Sequence, residues 1–345
     1  ELLRLENTEL KKRLGICESP APRKSSLDLP AHTIAHESHT KDKIQLFRKL
    51  FKGREDVYAI RWESKIGKSG YSPACANEWK PIICEKPRIK CAECQHRSFM
   101  EVTDQVIYDH LSGKKIIGVY PLLQDETCWF LAADFDKTAW QDDALAYLNT
   151  CQDLGISAVL ERSRSGNGGH VWIFFEEPIA ASIARRFGSV ILTKTMEKRP
   201  QVGLDSYDRF FPNQDTMPKG GFGNLIALPL QKIPRDKGNS VFLGNDLNPY
   251  PDQWKFLSTV TQVKKSDIES LVDKASSEVN IVGVSLSFSE DDDQDPWTLP
   301  PSKKKGTKPI VGPFPSQASI VLSNMVYVEK VGLPPAMVNR FLRIA

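Results

Sequence analysis

The sequence predicts an α+β fold built around a mixed sheet, and three observations carry that reading. Cys128 to Asp136 (CWFLAADFD) is an apolar run of strand length that ends in two carboxylates. Ser157 to Phe175 (SAVLERSRSGNGGHVWIFF) is a pair of β-rich runs joined by a Ser/Arg/Gly/Asn turn, the pattern of a hairpin. Between and after these runs apolar residues recur at helical spacing, so strand, helix, hairpin, helix and strand follow one another in an α+β order.

At the N-terminus, Leu3, Asn7, Leu10 and Leu14 form a short heptad seam over residues 1–14, the end of a coiled-coil helix. Residues 15–40, with Pro20, Pro22, Ser25, Ser26 and Pro30, are expected to be a linker. Lys41 to Phe51 places Ile44, Phe47, Leu50 and Phe51 on one helical face, and the VYAIRW run that follows predicts a strand. Residues 41–127 are therefore expected to be an N-terminal α/β subdomain, with a small zinc-binding insert at 75–96. Cys91 and Cys94 form a C-x2-C half-site whose tight turn puts both thiolates on one side, and Cys75 and Cys84 complete four Zn²⁺ ligands. His96 is the alternative fourth ligand in place of Cys75. Lys80, Lys86, Arg88, Lys90 and Arg97 around it suit either a nucleic-acid backbone or a solvated surface.

From residue 128 the core region begins. Thr138 reads as the N-cap of a helix running to Leu154, with Trp140, Ala144, Leu148 and Cys151 inward and Gly155 as its stop. Pro178 reads as the first residue of another helix, with Ile183, Phe187 and Ile191 at core spacing. Leu204 to Asp215 supplies Asp205 and Asp208 on a strand stopped by Pro212. Gly220 to Gln231 predicts a glycine turn and a buried strand, and Trp254 to Val263 and Lys265 to Ala275 predict closing helices that complete 128–288. Residues 289–307, acidic and then basic with frequent prolines, are expected to be a second linker, and 308–345 the start of a following domain, cut short.

The formal net charge is only +3 over 345 residues, so a nucleic-acid partner is permitted but any basic groove must be local. No apolar run reaches the ~18 residues of a membrane helix and no signal-peptide pattern opens the chain, which predicts a cytoplasmic protein without a membrane partner. Seven cysteines, four of them between Cys75 and Cys94, fit metal binding in a reducing compartment better than a disulfide framework. Glu1 in place of Met reads as a piece of a longer chain, and the absence of a P-loop excludes ATP hydrolysis of the Walker type.

The chemistry gathers on strand ends. Asp134 and Asp136 point to one side of their strand while Phe135 points to the other, which makes a candidate platform for a divalent cation. In the hairpin turn, Ser163, Arg164 and Ser165 with the amides of Gly166 to Gly169 can cradle an anion beside His170. Asp205 and Asp208 face opposite ways by strand parity, so only one can join the first pair. Each piece alone is weak: an Asp-x-Asp is usually a solvated strand end and a glycine loop usually a turn. In this order they favour phosphoryl or nucleotidyl transfer, because carboxylate-held cations are the common route to that chemistry.

The order hhhDhD, then S-x-S-G-x-G-G-H, then an acidic strand resembles the three motifs of the archaeo-eukaryotic primase superfamily, the primase-polymerases. SRSGNGGHVWIFF, SYDRFFPNQD and GGFGNLIALPLQ look like the primase domain of TOTE conflict system proteins, over roughly Lys41 to Val263. The resemblance implies an RRM-like primase-polymerase catalytic core. It also implies a DNA primase and DNA polymerase activity that uses NTP or dNTP on a single-stranded DNA template and primer. Asp134, Asp136 and Asp208 would then hold Mg²⁺ or Mn²⁺, with Asp208 preferred over Asp205 because it matches YDRFFPNQ. His170 would contact the triphosphate held by Ser163, Arg164, Ser165, Gly166, Gly168 and Gly169. Primase-polymerases often carry an Arg where this chain has Ala227, which leaves Asn224 and Gln231 as polar candidates. The resemblance further implies a helicase domain on the C-terminal side. Two other classes stay open on the residues: a metal-dependent nuclease using the same carboxylates, and a non-catalytic zinc-containing nucleic-acid-binding module.

Overall fold

The structure, a computed structural model, describes residues 33–198 and 206–277. The expected coiled-coil end, most of the first linker, Asp205, the second linker and the following domain lie outside the described residues.

Helix α1 (Thr40–Leu50) leads into β1 (Ala59–Glu63), β2 (Ser69–Pro73), α2 (Asp104–Leu111) and β3 (Ile117–Val119). Next come β4 (Thr127–Asp136), α3 (Trp140–Asp153), β5 (Val159–Arg162), β6 (Gly168–Ala180), α4 (Ala181–Lys198) and β7 (Tyr207–Phe211). The chain closes with β8 (Ile226–Ala227), α5 (Lys232–Asp236), β9 (Val241–Leu243), α6 (Gln253–Ser258) and α7 (Lys265–Ser277). Among the described residues no helix is long and apolar enough to cross a membrane.

Two sheets form, one ordered β2-β1-β3-β8 and one ordered β7-β4-β6-β5-β9. All pairings between these strands are antiparallel, which corrects the expected mixed sheet. The reason lies in the connections: β5 and β6 share a tight turn, and α3 and α4 each return the chain beside a strand running the opposite way.

The central strands are covered on both faces. One face, with Leu131, Ala133, Phe135, Val171 and Ile173, packs on Tyr147 and Leu148 of α3, Phe187 and Ile191 of α4, and Ile268 of α7. The other, with Phe130, Ala132, Trp172 and Phe174, packs on Phe47 and Leu50 of α1, on Phe51 at its C-cap, and on Ile117 and Val119 of β3. Residues from 41–127 and from 128–288 thus share one core, and Phe51 meets Trp172 and Phe174 edge-on at ring-centroid distances of 5.1 and 5.2 Å.

Three element boundaries differ from the expectation. Helix α3 begins at Trp140 behind Ala139, which supplies no side-chain cap, so Thr138 is not the N-cap. Pro178 lies inside β6, and α4 starts at Ala181. That position is tolerated because the β4–β6 register shifts between Cys128 and Phe130, leaving the region around Pro178 out of the regular ladder where a missing N–H costs little. The closing helix expected over Trp254 to Val263 is the short α6, with Asp252 as its N-cap accepting from Trp254 and Lys255 amides. The second strand of the N-terminal sheet, β2, has no counterpart in the sequence reading, because SGYSP lacks the apolar alternation of a strand.

Candidate active site

The acidic residues continue a core stripe. On β4, Phe130, Ala132, Asp134 and Asp136 alternate onto the same face, and the first two are buried under α1 and β3. Where that cover stops, the stripe turns polar. Register then aligns neighbours across the sheet: Asp134 faces His170 on β6 and Arg209 on β7, His170 faces Glu161 on β5, and Glu161 faces Phe242 on β9. One level of the sheet therefore reads Phe242, Glu161, His170, Asp134, Arg209, with charge signs alternating along its polar part.

The contacts within this rung are short. His170 Nδ1 lies 2.9 Å from Glu161 Oε2, and His170 Nε2 lies 3.6 Å from Asp134 Oδ1. Trp172 Nε1 donates to the same Glu161 oxygen at 2.9 Å. Burial pulls the His170 imidazolium down, but the charge and hydrogen bond of Glu161, with Asp134 behind, outweigh it and hold the ring above the usual histidine range. Asp134 is raised, first by burial; His170 opposes this, while the charges of Asp208 and Asp136 add to it. Negative charge is thus concentrated at this point.

A β-bulge brings in the third carboxylate. Asp134 pairs with Arg209 and Phe135 with Tyr207, so Asp208 is the extra residue of β7, re-aimed to within electrostatic reach of Asp134. Arg209 Nε donates to Asp208 Oδ2 at 2.7 Å. The start of β7 is anchored by buried Asp143 of α3, whose Oδ2 accepts from Ser206 N at 3.1 Å and Ser206 Oγ at 2.8 Å. Ser206 in turn accepts the Asp136 N–H through its carbonyl at 2.7 Å. Lys137 then leaves the strand in the left-handed region at φ 74°, a conformation costly for a residue with a Cβ.

Donor chemistry fits a hard divalent cation. Asp136 Oδ1 is sheltered from water without a hydrogen-bond partner, Lys137 Nζ stands 3.6 Å from it, and the carboxylates beside Asp134 destabilise its charged form. Among the described residues, no group of three or more His, Cys, Asp or Glu side chains is arranged to hold a metal as it stands. The expected triad is therefore neighbouring rather than convergent, with Asp208 drawn to Arg209.

The hairpin turn is smaller than expected. Ser163 N donates to Gly168 O at 2.8 Å, and Gly168 and Gly169 are strand residues opposite Asp136 and Phe135. Their lack of a Cβ serves packing: at Gly168 it would meet Phe135 O at 2.7 Å, and at Gly169 the Trp140 ring at 2.6 Å. This corrects the expectation that both amides belong to an open anion loop. The turn itself is Ser163, Arg164, Ser165, Gly166 and Asn167, with Gly166 at φ 81° and the Ser163 and Ser165 hydroxyls 3.1 Å apart. Asn224 is also corrected. Its amide donates to Phe210 O and its oxygen accepts from Asn213 N, both at 3.2 Å, so it clamps the end of β7.

Cys75, Cys84, Cys91 and Cys94 form no disulfide, and all four line one small cavity with His96. Among the described residues these side chains, like the carboxylates, form no group of three or more arranged to hold a metal as it stands.

The chain is thus an α+β protein with an acidic, histidine-bearing edge on a five-stranded antiparallel sheet. The family described as the TOTE conflict system, Archaeo-Eukaryotic Primase domain matches residues 42–271, and the chain belongs to it. No curated protein matches. Among solved structures, the polymerase domain from Mycobacterium tuberculosis Ligase D in complex with DNA is similar at 10% identity with a TM-score of 0.32. That match covers 69% of this chain and 89% of the other.

Residues that the sequence reading missed are Glu161, Arg209 and Asp143. Glu161 alternates with Val159 on β5, and period-2 parity places it on the His170 side; that signal was available. Asp143 offered none, since an acidic residue in the first turn of a helix is ordinary.

Proposed function

We propose that the chain is a template-directed nucleotidyltransferase, a DNA primase-polymerase that makes or extends primers from NTP or dNTP on single-stranded DNA. Membership in a primase-domain family supports this, and the observation that carries it is the charged rung with the turn at its border. In this reading Asp134, Asp136 and Asp208 hold Mg²⁺ or Mn²⁺, which when bound lowers the pKa of the attacking 3′-hydroxyl and offsets charge on the departing pyrophosphate. Arg164 and the Ser163 and Ser165 hydroxyls bind the triphosphate. His170 hydrogen-bonds the triphosphate as it departs. Cys91 and Cys94 with Cys84 and Cys75, or His96 in place of Cys75, form a structural Zn²⁺ site, a reading supported by their common cavity. The protein works in the cytoplasm, where its thiols stay reduced, and in one chain with a helicase-type domain.

The test is primed and primer-free extension on labelled single-stranded DNA, with each nucleotide type and each metal. Metal-dependent extension by the natural chain is expected. Asp134→Ala and Asp136→Ala should fall to background with unchanged melting, because they remove ligands at a strand end rather than core volume. Near-wild-type extension by either variant sinks the reading, and degradation of the strand in place of extension assigns the carboxylates to hydrolysis.

A further inference from the structure

We infer that Glu161 is the positioning residue of His170: its buried carboxylate fixes the ring so that Nε2 alone faces the nucleotide. This rests on the reading of His170 as a triphosphate contact.

Glu161 is 2% exposed, and a carboxylate that deep needs partners. Two donate to its Oε2, His170 Nδ1 and Trp172 Nε1, each at 2.9 Å. A tryptophan nitrogen can only donate, and Trp172 is wholly buried, its ring centroid 5.1 Å from those of Phe51 and Phe130. The tryptophan is therefore wedged by the core, and it holds the carboxylate in turn. With the carboxylate oxygen accepting from Nδ1, the other ring nitrogen points away, towards Asp134 at 3.6 Å. Because Glu161 and His170 are directly opposed in the ladder, little side-chain freedom is left to reverse the ring. The chain of restraint runs from the aromatic core to Trp172, to Glu161, to His170, and ends at the open edge.

The experiment compares Glu161→Gln, His170→Ala and the double variant with wild type. Melting and dNTP affinity with Mn²⁺ are measured for each, together with the ring ¹⁵N resonances of the histidines. The amide side chain introduced by Glu161→Gln keeps an acceptor for Trp172, so this variant is expected to melt near wild type. Its nucleotide affinity should drop about ten- to hundredfold, the usual effect of losing such a supporting partner. The double variant should bind no more weakly than His170→Ala, since Glu161 acts through that ring. Wild-type affinity in Glu161→Gln while His170→Ala binds more weakly, or additive losses in the double variant, would overturn the inference. The wild-type ring spectrum tests it without any variant needing to fold: a protonated Nδ1 is expected for His170, and a ring protonated only on Nε2 overturns it. A protonated Nδ1 combined with unchanged nucleotide affinity in His170→Ala instead removes the triphosphate role of His170 and leaves the restraint standing.

Discussion

Arg164 lets the proposed nucleotide contact be tested separately from the proposed metal platform. Its charge reaches the Tyr71 hydroxyl on β2, a buried group without a hydrogen-bond partner, so the guanidinium lies on the side of the turn that faces the N-terminal sheet. Arg164→Ala is expected to weaken nucleotide affinity about ten- to hundredfold, the scale of one charge-assisted contact of roughly 1.5–3 kcal/mol, and to leave single-stranded DNA affinity unchanged. Side-by-side titrations decide it: equal losses make Arg164 a template contact, and no loss makes it a solvated turn residue. Gly169 gives the opposite kind of test. A methyl there would press on Trp140, so Gly169→Ala should lower stability by about 1–3 kcal/mol, read as a lower denaturation midpoint. At this scale Asp134, Asp136 and His170 were legible, because alternation alone puts the first two on one face and sequence order sets the third nearby. Glu161 was legible only in its face, by parity with Val159; its burial was not, because a buried carboxylate and a surface one look the same in a string of letters.

Elements were legible where apolar spacing was long, as in α1, α3 and the β5–β6 hairpin, and misread where one residue type carried the argument. Pro178 has the fixed φ suited to a helix start, yet it sits in the irregular part of β6, and Thr138 is a good cap that the chain does not use. The bulge in β7 left no mark in the sequence, although it alone brings Asp208 towards Asp134. The cysteine insert is the element most open to direct test. Purified protein is expected to carry about one zinc per chain, in line with a closed four-ligand site. Elemental analysis of wild type and of a Cys91→Ser/Cys94→Ser double variant checks it: absence of zinc, or unchanged zinc in the variant, removes the site.

At the scale of the molecule, α1 and the N-terminal sheet complete the core beneath the site. A fragment beginning at Thr127 would expose Phe130, Trp172 and Phe174, so it is expected to bind an apolar dye and to lack a cooperative melting transition. A sharp native-like transition in that fragment would show that β4 onward folds alone. The order of motifs set a subdomain boundary at 127/128, and residues as far apart as Phe51 and Trp172 meet across it, a long-range pairing that local pattern does not carry. His110 ties the same parts together, accepting from Ile117 N through Nδ1 and donating from Nε2 to Pro229 O. Burial lowers its pKa from 6.5 to about 4. A folded value below the unfolded one means that neutral His110 stabilises the fold above about pH 6.5, and that this contribution is lost as pH falls towards 4. Denaturation midpoints at pH 7 and pH 5 should therefore differ, with a slope for this group of up to about 1.4 kcal/mol per pH unit that is absent in His110→Gln.

The alternation that carries Phe130 and Ala132 into Asp134 and Asp136 also constrains how the gene can change. Insertion or deletion of one codon between Phe130 and Asp134 turns the acidic pair to the α3 face and, in the same event, reverses part of the core stripe. Substitutions can alter the site one residue at a time. Length changes in β4 can be absorbed only in steps of two, matched by β6 and β7 on either side, so the reading frame of the sheet and that of the chemistry are the same frame.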